Sequence, residues 1–121
     1  MKTSTDYLPD IPSAEQYKAA FLAIRRVITE NQLKMLRAHF HARKHTITAT
    51  KMSETVGYSS YKAANLQYGI LGRRLCKRLR RSLELHIAIL TDFGDGDTSD
   101  PDLRWIMLPQ VARALSDLRW V

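Results

Sequence analysis

Apolar residues recur at helical spacing through the first two-thirds of the chain, then alternate with polar ones from about residue 83. Tyr17, Ala20, Phe21, Ile24 and Val27 lie on one face of a helix over residues 13–27. Ser13, with Gln16 three residues on, supplies a capping box at its start. Thr29 and Gln32 repeat that signature ahead of Leu33, Met35, Leu36 and Phe40, so a second helix runs to about Ala42. Thr46-Ile47-Thr48 is β-prone. Thr48 suits the cap of a third helix, 49–56, and Gly57 is the residue type that closes a helix in the left-handed conformation. Ser59 or Ser60 then caps a longer fourth helix, from Tyr61 to about Arg80. Helix, glycine turn, helix at this spacing is the helix-turn-helix pattern.

Leu85, Ile87 and Ile89 alternate within 83–93 and predict a strand. Residues 94–102 (GDGDTSDPD) have turn composition throughout. Leu103 to Leu108 reads as the returning strand, and Pro109 suits the first position of a last helix carrying Val111, Leu115 and Leu118 on one face. Without its first and last helices the order is helix, short strand, helix, helix, hairpin. The expected fold class is therefore α+β: a winged helix-turn-helix with an extra N-terminal helix, a β-hairpin wing and a short C-terminal helix. Residues 1–12, polar with two prolines, read as a flexible arm, and 13–121 as a single domain.

Charge adds a direction to this plan. The net charge is +7, but residues 18–81 carry +13 while 82–121 carry −4 and 1–17 carry −2. A concentrated cationic block suits a polyanion, since each neutralised phosphate releases condensed counterions; a solvated basic surface is the plainer alternative. No apolar run approaches membrane-spanning length, the longest being Ile87 to Leu90, and no signal pattern opens the chain. Cys76 is the single cysteine, which fits a reducing cytoplasm.

The fourth helix is the candidate recognition element. At about 100° per residue, Ala64, Tyr68, Leu71, Leu75 and Leu79 form one stripe for the core. Lys62, Arg73, Lys77 and Arg80 lie roughly opposite. The N-terminal residues of such a helix meet base edges, here Ser59, Ser60, Tyr61, Lys62 and Asn65. Asn pairs bidentately with adenine, Lys with guanine, and hydroxyls with base or phosphate. Lys51, Arg73, Arg74, Lys77, Arg78 and Arg81 are the expected phosphate contacts, which orient without specifying. Leu66 and Ile70 fall on the same side and suit thymine methyls, another helix or a dimer partner. Gly69 and Gly72, costly inside a helix, suggest that another backbone or DNA comes close.

Other features carry less. Asp92, Asp95, Asp97, Asp100 and Asp102 crowd the hairpin; their carboxylates would repel phosphate, and their spacing does not match a calcium loop. A mobile solvated turn, a contact with a basic partner and a metal-dependent nuclease site are the alternatives. His39 and His41 are two apart on a helix and face different ways, so zinc is disfavoured, and His39, His41 and His45 are expected at the surface or against phosphate. Tyr58, Tyr61 and Tyr68 suit base stacking, or more simply packing of the turn. No phosphate loop, nucleophile elbow or paired catalytic carboxylates appear, so neither an enzyme nor a cofactor is expected.

The stretch from Ile47 to Leu75 resembles a segment of bacterial proteins that carry an HNH endonuclease domain, in the manner of modification-dependent restriction enzymes. The likeness rests on Thr48-Ala49-Thr50, Val56-Gly57-Tyr58, Ala64 to Gly69 and Leu71-Gly72-Arg73, and extends more weakly to Trp105 and to Leu118-Arg119-Trp120-Val121. It implies DNA engagement by Tyr58 to Arg73, with a modified base as a possible target; this chain has no nuclease, so cleavage does not carry over. The expectation is a cytoplasmic, non-catalytic protein that binds double-stranded DNA, as a regulator or as the specificity half of a restriction system. Its further partners would be a second copy or a nuclease, with no membrane. The alternative is a protein-interaction module, an inhibitor or adaptor of phage or plasmid origin, using the acidic hairpin and the Leu66/Ile70 surface.

Overall fold

Local capping chemistry sets where the helices begin. In the computed structural model, which describes residues 7–93 and 102–121, α1 spans Ala14–Ile24 and continues as a single 3-10 turn, Arg25–Val27. Ser13 Oγ accepts from the Gln16 amide at 3.1 Å, and Gln16 Oε1 accepts from the Ser13 amide at 2.8 Å. Thr29 and Gln32 make the same reciprocal pair, both bonds 3.0 Å, at the head of α2, Glu30–His41. Thr48 caps α3, Ala49–Val56, and Gly57 ends it at φ +96°. There a side chain would meet its own backbone, so glycine is required. Ser60 caps α4, Tyr61–Leu79, and Pro109 opens α5, Pro109–Asp117, where its missing N–H costs nothing.

Three short strands form one antiparallel sheet: β1, Thr46–Thr48; β2, Thr91–Asp92; and β3, Arg104–Met107. The order is β1-β3-β2, with Ile47 opposite Trp105 and Thr91 opposite Met107. Trp105 and Met107 face inward while Arg104 and Ile106 face out, the two-residue period of a half-buried strand. Trp105 stacks on Tyr68 of α4 with ring centroids 5.3 Å apart. The apolar stripe of α4 (Ala64, Tyr68, Leu71, Leu75) is fully buried in the core beneath the sheet. α1 packs on both α4 and α5, and the Tyr17 hydroxyl donates to the Ile89 carbonyl at 2.6 Å. The chain end closes on the same layer: Trp120 lies edge-on to Phe21, and its carbonyl accepts from Arg37 Nε at 2.8 Å.

One expectation needs correction. The strand anticipated over 83–93 is only Thr91–Asp92; His86–Ile89 is a 3-10 turn. Ile87, Ala88, Ile89 and Leu90 are all buried, so no solvent face exists for an alternating strand to present. Of the arm expected over residues 1–12, residues 1–6 fall outside the described residues, and Tyr7–Pro12 lies on the domain. Leu8 and Pro12 are buried, the Tyr7 ring is 5.3 Å from Phe93, and Asp10 pairs with Arg81 at 3.4 Å. Most of the 94–102 turn, with Asp95, Asp97 and Asp100, falls outside the described residues; Asp102 is exposed.

The described residues thus give an α+β fold of five α-helices and a three-stranded sheet, in an order compatible with a winged helix. Among them, no helix is long and apolar enough to cross a membrane.

Candidate nucleic-acid interface

The turn between α3 and α4 is held from inside. Ser53, 3% exposed, donates its hydroxyl to the Ser60 carbonyl at 2.8 Å, and its own carbonyl accepts from the Gly57 and Tyr58 amides. Ser60 Oγ accepts from the Lys62 amide at 3.1 Å. Ser60 is therefore committed to capping, Tyr58 and Tyr61 are half-buried against the core, and Ser59 is exposed. Tyr68 is sealed in the core, which removes it from base stacking.

Beyond this turn, Lys62, Leu66, Gly69, Arg73 and Lys77 succeed one another at intervals of four, three, four and four residues. That spacing puts them on one line along the helix. Lys62, Leu66, Arg73 and Lys77 are exposed, Leu66 to 60%, with Ile70 half-buried beside them. The two helix glycines differ sharply. A Cβ on Gly72 would stand 2.4 Å from the His86 carbonyl oxygen, so a crossing backbone demands glycine there. A Cβ on Gly69 would meet nothing within 4 Å. Gly69 leaves a dip of bare backbone in the middle of the stripe.

Not every expected phosphate contact joins this line. Arg74 donates to the Val27 carbonyl at 2.6 Å. Arg81 donates to the Leu79 carbonyl at 3.0 Å and pairs with Asp10, so it closes the C-terminus of α4, where a cation also complements the helix dipole. Arg78 is exposed but on the side next to α1, with Gln16, Ala19 and Ala20. Lys51 is on α3, exposed and 3.9 Å from Glu54. Asn65 is half-buried at the edge of the stripe, in a recess shared with Gly69 and residues 84–87. Arg73, Arg74, Lys77, Arg81 and His86 border one open cleft of about 660 Å³ between α4 and the chain that crosses it. No family model, curated protein or solved structure matches the chain.

Sequence reasoning misplaced one residue outright. His39, expected at the surface or against phosphate, is fully buried. Its Nε2 lies 3.0 Å from the Trp105 carbonyl and its Nδ1 2.8 Å from the Tyr68 hydroxyl. A carbonyl only accepts, so Nε2 carries the proton and Nδ1 accepts from Tyr68. Burial lowers the imidazole pKa to about 4, which keeps the ring neutral, and raises that of Tyr68. The signal was available: Gln32, Met35, Leu36 and His39 share one helical face, and all are buried. His45 is half-buried with Nδ1 2.5 Å from the Phe40 carbonyl, while His41 is exposed. Burial pushes the Cys76 thiol up to about 11, so it is no ready nucleophile. Among the described residues, no three His, Cys, Asp or Glu side chains come together as a metal site.

Proposed function

We propose that this protein binds double-stranded DNA without catalysing a reaction, in the winged-helix manner, with α4 as its recognition helix. The observation that carries the reading is the exposed line of Lys62, Arg73 and Lys77 around the open backbone at Gly69. Arg73 and Lys77 meet phosphates, Lys62 and Ser59 sit where base edges are read, and Asn65 reaches them from the margin of the stripe. The resemblance of Ile47 to Leu75 to restriction-associated segments supports a cytoplasmic role as a specificity module, with a stand-alone regulator as the other setting. The 60% exposure of Leu66 favours one second reading, docking of another protein on the same face.

Titration of a random-sequence duplex at rising salt tests both. DNA binding predicts that log K falls with log salt, at about 0.9 per phosphate neutralised. Replacing Arg73 and Lys77 together with Ala then lowers the slope by about 2 units and weakens every sequence alike. No complex at low salt would leave the protein-docking reading in its place.

A further inference from the structure

A second site lies away from α4, and no residue of that helix contributes to it. A groove of about 510 Å³ is walled by the end of α2, by β1, by α3 and by Arg104 of β3. Its floor is aliphatic, from Ala38, Ala42 and Ile47. Its rim is cationic: Arg43, Lys51 and Arg104 line it, with His41, and among the described residues no carboxylate does. Among the described residues Arg43 and Arg104 have no ion-pair partner, and Lys51 holds Glu54 only at 3.9 Å with both side chains about two-thirds exposed.

The turn that brings Arg43 to the rim is conformationally costly. Lys44 and His45 both have φ +54°, the left-handed region that side chains disfavour. His45 is held there by its ring bond to Phe40 and by its amide on the Ala42 carbonyl at 2.8 Å. Backbone strain of this kind persists where the surroundings over-determine it, and it gathers at binding sites.

We infer that this groove binds a small amphipathic organic anion, an aliphatic or aromatic carboxylate whose apolar body lies on Ala38, Ala42 and Ile47 while its charge meets Arg43, Lys51 and Arg104. Charge complementarity selects the sign. The volume falls within the range of roughly 300–1,000 Å³ usual for small-molecule sites. β1, at three residues, offers only about 10 Å of strand, too little to template an added peptide strand.

The experiment is an amide-shift titration of the whole chain with octanoate, octanol and inorganic phosphate. Octanoate gives saturable shifts confined to Ala38–Thr55 and Arg104. Octanol and phosphate each bind at least about tenfold more weakly, because each satisfies only half of the site. Lys51→Gln and Arg104→Gln, both at exposed positions and expected to fold, each weaken octanoate by about tenfold, the worth of one charge-assisted bond. Absence of saturable shifts in the groove overturns the assignment. So does phosphate binding there as tightly as octanoate, which would make the rim a plain phosphate contact. A DNA titration of the same variants reads the α4 stripe separately, so the two sites fail or stand independently.

Discussion

His39 joins three elements through two hydrogen bonds, and its neutrality is part of how it does so. A protonated ring would turn Nδ1 from acceptor to donor, against a hydroxyl that donates to it, in a fully buried place. The sign of the pH effect follows. The unfolded chain takes up the proton near pH 6.5, and the folded chain only near 4. Stability present above pH 6.5 is therefore lost on acidification down to about pH 4, by on the order of 3 kcal/mol. Denaturant melts at closely spaced pH values check it, with His39→Gln lowering stability at pH 7 and flattening the slope in that window. An unchanged slope in the variant would assign the acid sensitivity to other groups. Tyr68→Phe removes only the hydroxyl and is expected to cost about 1–3 kcal/mol by leaving Nδ1 unsatisfied. At this scale the sequence was readable where the logic is local. Ser13, Thr29, Thr48, Gly57 and Pro109 all act as their neighbours imply. His39 needed its spacing from Gln32 and Leu36 to outweigh its polarity.

Among elements, α4 carries the contrast that decides most. Its two glycines look alike in the sequence, and the structure separates them by what lies outside the helix. At Gly72 an added methyl meets the backbone of the His86–Ile89 turn, which cannot swing aside as a side chain can. Gly72→Ala is expected to cost about 1–3 kcal/mol or more, read as a lower thermal midpoint. At Gly69 the methyl meets open space, so Gly69→Ala gains helix propensity and stabilises the fold by up to about 1 kcal/mol. If DNA lies along the stripe, the same substitution weakens duplex binding, because the methyl fills the dip between Leu66 and Arg73. A stabilised protein with unchanged affinity would show that nothing approaches Gly69. This arrangement also explains the strand misread from the sequence. Leu85, Ile87 and Ile89 mimic a two-residue period, but Ile87 to Leu90 are buried one after another beside α4. Periodicity reports one exposed face, and a segment without such a face gives no dependable period. Gly72 was the better signal, since it announced that a backbone crosses there.

For the molecule as a whole, the +13 carried by residues 18–81 is the feature most visible in the sequence, and the one that folding redistributes most. A run such as RRLCKRLRR is contiguous in the chain, yet a helical period of about 3.6 residues spreads it around the axis. Arg73 and Lys77 reach the stripe, Arg74 satisfies the Val27 carbonyl, Arg78 faces the α1 side, and Arg81 closes the helix end. Arg43, Lys51 and Arg104, drawn from separate elements, gather instead at the groove beside β1. Local charge density therefore raised the expectation of a polyanion partner without showing which cations would share one face. The distinction is measurable. Arg78→Ala is expected to leave the salt dependence of duplex binding unaltered, while Arg73→Ala lowers its slope by about 1. Arg74→Ala leaves the slope close to that of the parent and lowers the thermal stability modestly, by about 1 kcal/mol, through the lost bond to Val27. Equal loss of slope from Arg73 and Arg78 would mean that the polyanion wraps the helix, because one straight backbone does not touch both sides of α4.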